Sequence, residues 1–180
     1  MTGEGESTVV IDPIDGSTNC DRGVPFFATS MAVMRDNQLI AAVVVDQTSG
    51  MTFEAERGGG ATRDATSIQV SGIRELSKAI IAFSGLPSRH LGWAQYRALG
   101  AASLELCYVA DGSLDAYTVA QQSTLHPWDY LAGLLIAREA GGVSADYRDE
   151  ELETCASVVR RPAIACTAEL LETILRAGAL

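Results

Sequence analysis

A layered α/β fold, an α+β sandwich of sheets and helices, is predicted by three observations. Apolar β-rich runs crowd the first half of the chain, strand and helix patterns alternate in the second, and no internal repeat or linker divides the two. A length of 180 residues suits one domain, 1–180, with a substantial core. Apolar residues at 47% against 20% charged set disorder aside.

Residues 1–7, with Glu4 and Glu6, read as a polar lead-in. Val9-Val10-Ile11 reads as a buried strand that Pro13 ends, because proline fixes φ and donates no ladder hydrogen bond. Residues 27–34 and 39–46 form a hairpin across the turn formers Arg35-Asp36-Asn37-Gln38, and 51–56 add a third strand. Gly58-Gly59-Gly60 lacks the Gly-Lys-Ser/Thr ending of a phosphate loop and opens no helix, so it reads as a flexible turn. Short strands are expected at 67–70 and 79–84, the second bounded by Gly85 and Pro87. Residues 101–110 suit a helix, with Leu104, Cys107 and Tyr108 on one stripe and Gly112 as its stop. After a strand at 114–119, the clearest helix spans 127–140. It has proline at its first position, Leu131, Leu134, Leu135 and Ile136 in register, and Gly141-Gly142 behind it. A strand at 163–166 and a helix at 168–177 close the chain.

The chemistry concentrates in Asp12-Pro13-Ile14-Asp15-Gly16-Ser17-Thr18-Asn19. Two aspartates three apart cannot share a face of a regular strand, where side chains alternate. Broken at Pro13 and turned at Gly16, the chain can bring both carboxylates to one point, with the N–H groups of Gly16, Ser17 and Thr18 facing an anion. That outlines a hard-metal site beside a phosphate site, although Asp-Gly alone is also ordinary turn chemistry. Asp129 falls in the first turn of the 127–140 helix, where the dipole favours a carboxylate.

The formal charge of −10 argues against a nucleic-acid partner. It would also repel an anionic substrate unless a divalent cation reverses the local sign. Cys20, Cys107, Cys155 and Cys166 show no C-x-x-C spacing, and only His90 and His126 exist, so zinc is disfavoured and reduced, mostly buried thiols are expected. No apolar run spans a bilayer and no leader pattern opens the chain, which suits a cytoplasmic location without membrane attachment. Three rivals fail on pattern. An EF-hand would need an acid where Ile11 stands; Cys155 and Arg161 have cysteine-phosphatase spacing but no glycine between; and no G-x-S-x-G elbow exists. His126, before Pro127, is a catalytic candidate, although capping or packing is the commoner role at such a position.

The string Asp12 to Asn19 resembles the first signature of the inositol monophosphatase family of metal-dependent phosphatases. Trp128-Asp129-Tyr130-Leu131-Ala132-Gly133, leading to Glu139-Ala140-Gly141-Gly142, resembles the second. The resemblance runs from about Val9 to the C-terminus and is closest to bacterial members. It implies the inositol monophosphatase/fructose-1,6-bisphosphatase fold, N-terminally shortened: the family's preceding helices and metal-site glutamate have no counterpart, and Glu4 and Glu6 lie too near Asp12 to supply one. By the same resemblance Asp12, Asp15, Asp129 and the Ile14 carbonyl would hold Mg2+, as hard oxygen donors suit it. The implied reaction is hydrolysis of a small phosphate monoester, most simply inositol monophosphate, by a metal-activated water. Ser17 would position that water, and Asp15 and Asp129 would complete the catalytic set. Ile14, Asp15, Gly16, Ser17, Gly100, Ala102 and Asp129 would meet the substrate, with Gln121 replacing an acid the family carries there. Histidinol phosphate, fructose 1,6-bisphosphate and adenosine 3',5'-bisphosphate are handled by relatives with the same signatures. A homodimer is the expected assembly, since surface uncovered by the shortening would associate. The alternative is a weakly active or inactive relative that binds metal or phosphate compounds, or serves as a dimerisation partner.

Overall fold

The structure is a computed structural model and describes residues 7–178; Glu4 and Glu6 lie outside the described residues. The first half forms β1 (Ser7–Asp15), α1 (Ser17–Arg22), β2 (Ala28–Arg35), β3 (Gln38–Asp46), β4 (Thr52–Glu56), β5 (Gly60–Arg63) and β6 (Thr66–Ser67). The six strands pair antiparallel in chain order. β2 shows the cleanest alternation: Ala28, Ser30, Ala32 and Met34 point inward and are buried. The β2–β3 turn places Asp36 and Asn37 at φ of 51° and 58°, the left-handed pair that tight hairpins use.

The second half begins with β7 (Ile80–Ser84) and β8 (Gln95–Arg97) and continues through α2 (Ala102–Ala110), β9 (Ala116–Val119) and α3 (Pro127–Glu139). β10 (Val143–Asp146), β11 (Pro162–Ala165) and α4 (Ala168–Gly178) complete it. Its five strands lie in the order β10-β11-β9-β7-β8, with β7 parallel to both neighbours and the other pairs antiparallel. α2 and α3 pack on each other between the two sheets, and α4 lies on β10 and β11. Gly133 permits the close crossing of α2 and α3: a Cβ there would lie 2.5 Å from that of Leu106.

Several expectations change. β1 is an edge strand rather than a buried one, with Val9 54% and Ile11 49% exposed. Pro13 does not end it either; the ladder lapses in a bulge after Asp12 and resumes at Asp15 opposite Ala28, as proline is tolerated at edges and bulges. The polar turn after Gly16 is a short helix, α1. The strand expected at 67–70 shrinks to Thr66–Ser67: Ile68 N still donates to the Ala61 carbonyl of β5 at 3.0 Å, but by Val70 the chain has turned away and its N–H donates to the Ala140 carbonyl. Gly58-Gly59-Gly60 is anchored rather than loose: the Glu139 carboxylate accepts from Gly58 N (2.9 Å) and Gly60 N (3.0 Å). Only half the cysteines are buried, Cys107 and Cys166; Cys20 and Cys155 are exposed, and all four are free.

Candidate functional site

The bulge in β1 is what lets two aspartates serve one place. Asp12 keeps strand register opposite Ser30, and its Oδ1 accepts from Ile14 N at 3.0 Å. Asp15 closes the strand and turns inward, 7% exposed, where Oδ2 accepts from Ser103 N (2.7 Å) and Ser103 Oγ (2.5 Å). Gly16, at φ 84°, then redirects the chain into α1. A Cβ there would stand 3.0 Å from the Gly100 carbonyl, so glycine is required both by the turn and by the approach of a distant segment. Ser17 opens α1, exposed, and the first helical N–H groups have no partner within the helix.

Asp129 arrives from α3, at the third helical position. Its Oδ2 accepts from His126 N at 2.7 Å, which satisfies the helix entry and fixes the carboxyl. Ser30 of β2 donates to the Trp128 carbonyl at 3.0 Å, so the strand opposite Asp12 also holds the start of α3. His126 stacks on Trp128, ring centroids 4.3 Å apart, a packing role as expected.

Asp15 and Asp129, 114 residues apart in sequence, line one cavity of about 280 Å³ together with Gly100, Ala102, Glu105, Tyr117 and Ser84. Burial raises every carboxyl here. The Asp15 group is pushed up to about 6, chiefly by desolvation, with Asp12 and Asp129 adding to the rise and the two Ser103 hydrogen bonds opposing it. Asp12 and Asp129 are raised for the same leading reason; the Ile14 N–H opposes the rise at Asp12, while at Asp129 the hydrogen bond from His126 N opposes it and the charge of Asp12 adds to it. Glu105, 1% exposed, is lifted to about 7 by burial and by Asp15, against a hydrogen bond from Leu99 N. No lysine or arginine offsets any of the four. Of these, the three aspartates, desolvated oxygen donors without such an offset, fit a hard divalent cation, while Glu105 is committed to Leu99 N. Among the described residues, no group of three or more His, Cys, Asp and Glu side chains is placed to hold a metal ion by itself. A cation here would therefore complete its shell with backbone oxygen, water or substrate, as magnesium commonly does.

Of the expected site residues, Asp12, Ile14, Gly16, Ser17 and Gln121 are not among those lining this cavity. The Ile14 side chain is 46% exposed. Gln121 lies in neighbouring hollows with Leu86, Ser88 and Ser123, not in the cavity of Asp15 and Asp129. Cys155 is exposed and Arg161 packs over the Tyr147 ring, 4.7 Å from its centroid, so that pair forms no anion loop. Ser103 and Glu105 went unnoticed in the sequence. The available signal was a serine and a glutamate inside the apolar run 101–110.

Comparison with known proteins follows the same lines. The inositol monophosphatase family profile matches residues 1–178. An inositol-1-monophosphatase of Rhizobium meliloti is 37% identical over 160 residues, covering 79% of this chain and 58% of its own length. The Nus factor SuhB of Pseudomonas aeruginosa is 38% identical over 164 residues, covering 81% and 59%. A solved structure from Pyrococcus horikoshii, described as having similarities to inositol-1 monophosphatase, superposes with TM-score 0.85 at 34% identity, over 96% of this chain and 71% of that one. The chain thus spans under two thirds of the length of these curated relatives.

Proposed function

From the premise that the chain belongs to the inositol monophosphatase family, we propose that it is a magnesium-dependent phosphatase of small phosphate monoesters, inositol monophosphate first among them. The observation that carries this reading is the shared cavity of Asp15 and Asp129, whose carboxyls are raised by burial and offset by no lysine or arginine. Asp12, Asp15, Asp129 and the Ile14 carbonyl are the proposed metal ligands. The chemistry a cation supplies there is neutralisation of phosphate oxygens and a water acidified toward neutral pKa. The chain's own groups do the rest. The N–H groups of Gly16 and Ser17 receive the phosphate, and the Ser17 hydroxyl orients the attacking water. A new O–P bond forms as the ester P–O bond breaks in line, and the attacking water's proton leaves to solvent. Asp129, with one oxygen committed to His126 N, holds with the other a water that protonates the departing alkoxide. Gly100 and Ala102 face the alcohol half of the ester.

The test is phosphate release from a panel of monoesters with and without magnesium, beside Asp129→Asn. Activity should require the cation and fall by about two to three orders of magnitude in the variant. Metal or phosphate binding without turnover would favour the second reading, a weakly active relative. That reading draws support from the incomplete side-chain metal set. The homodimer and the cytoplasmic location stay part of the proposal. An open groove of about 500 Å³ on the outer face of the first sheet, floored by Val9, Met31, Val33 and Val43, supports association. No helix among the described residues is long and apolar enough to cross a membrane.

A further inference from the structure

The stretch that faces the alcohol half of the ester is held at a single residue, through the two peptide groups on either side of its Cα. Leu99, just ahead of Gly100, donates its N–H to Glu105 Oε1 at 2.8 Å, and its carbonyl accepts from Asn19 Nδ2 at 2.7 Å. The same Asn19 amide group donates to the Phe26 carbonyl at 2.8 Å, which locks the side chain to the segment leading into β2. Gly100 lies at φ 91° directly against that side chain; a Cβ there would sit 3.1 Å from Asn19 Nδ2. Gly16 meets the Gly100 carbonyl from the other direction. Two turns, one preceding α1 and one preceding α2, are therefore pressed together and fastened by two side chains.

Neither side chain is explained by packing alone. Glu105 is 1% exposed inside a helix whose neighbours Leu104 and Leu106 are fully buried, where a leucine would avoid the desolvation of a carboxyl. Its carboxylate lines the cavity beneath Gly100 and Ala102. Asn19 is the last residue of the first signature and sits two positions from Ser17.

We propose that Asn19 and Glu105 are positioning residues: by taking the carbonyl and the N–H of Leu99, they fix the distance between the Gly16–Ser17 turn and the Gly100–Ala102 stretch, and so select the alcohol half of the ester. This rests on the phosphatase reading of the same site. Phosphate contacts on the Gly16 side stay as they are when Leu99 loosens. Hydroxyl contacts on the Gly100 side do not, so the effect is confined to substrates that reach across.

The experiment compares the wild type with Glu105→Gln, Glu105→Leu, Asn19→Leu and the double leucine variant. Two substrates are used with magnesium: inositol 1-phosphate, whose ring carries hydroxyls, and p-nitrophenyl phosphate, whose ring carries none. The single leucine variants should raise KM for inositol 1-phosphate about ten-fold while kcat stays within about two-fold, and leave KM for p-nitrophenyl phosphate unchanged. Glu105→Gln keeps an acceptor for Leu99 N and should remain near wild type. The double variant should be no worse than the worse single one, since both act on one residue, Leu99. Asn19→Leu tests the same residue, Leu99, from its carbonyl side if Glu105→Leu does not fold. Equal KM shifts for both substrates, or a fall in kcat alone, would overturn the proposal and leave the phosphatase reading intact. A wild type inactive on both substrates would overturn the phosphatase reading and the selectivity with it. Amide exchange over residues 97–102 then judges the fastening by itself: a local rise in the leucine variants sustains it, and an unchanged pattern removes it.

Discussion

Replacing Asp15 by Asn should make the metal-free protein more stable at alkaline pH while abolishing its response to magnesium. The carboxyl is 7% exposed and its pKa stands at about 6 against an ordinary 3.8. The folded state thus keeps a proton that the unfolded chain has already released, and stability falls as pH rises through that window. A difference of about two units at about 1.4 kcal/mol each costs about 3 kcal/mol once both states are ionised. Roughly 1.4 kcal/mol of that loss falls between pH 5 and pH 8, where the folded carboxyl completes its titration. The amide of Asn still accepts from Ser103 N and Oγ, so its neighbours lose little. Urea unfolding in chelator at both pH values measures the effect. The difference between Asp15→Asn and wild type should widen by about 1.4 kcal/mol at pH 8, whatever slope Glu105 and the other acids impose on both. Magnesium at a hundred times its dissociation constant should then add about 2.7 kcal/mol to the wild type and nothing to the variant. A difference that ignores pH, or a variant stabilised by magnesium as the wild type is, would refute this account of the site.

Two further substitutions probe the scaffold. Gly133→Ala sets helix propensity, which favours alanine by up to about 1 kcal/mol, against a Cβ placed 2.5 Å from that of Leu106. Overpacking should win by about 1–3 kcal/mol, and a melting temperature at or above the wild-type value would show that α2 and α3 are free to move apart. Glu139→Gln leaves one acceptor where two carboxylate oxygens served Gly58 N and Gly60 N and sets an NH2 against the other N–H, so it should cost about 1–3 kcal/mol, with faster amide exchange confined to the β4–β5 turn.

Much of the layered architecture was legible because its elements carry strong local signals. Pro127 opening α3 and Gly141 behind it bracket the helix within a residue, and the Asp36-Asn37 turn sets the β2–β3 hairpin. β8 and β10 carry no such signal. They are short, and partners distant in sequence, Ile80 to Ala82 for β8 and Pro162 to Ala165 for β10, give them their pairing. The exposure of β1 was hidden for a related reason: an apolar triplet such as Val9-Val10-Ile11 reads the same on an edge as in a core. At the site, Asp12, Asp15 and Asp129 were readable from their flanking residues. Glu105 and Ser103 were not, because their importance comes from contacts with Leu99 and Asp15 rather than from any local pattern.

α3 is tied to the first sheet at both extremities, by Ser30 to the Trp128 carbonyl at one and by Glu139 to the Gly58–Gly60 turn at the other. A thirteen-residue helix is about 20 Å long, so the far tie lies well away from any chemistry. Yet a rod bolted at each end cannot creep along its own axis, and whatever loosens the distal bolt lets the Asp129 carboxyl, a metal ligand in the proposed function, drift lengthwise. Harm done at the remote glycine hairpin would thus register as lost alignment of Asp129, with no nearby lesion to account for it.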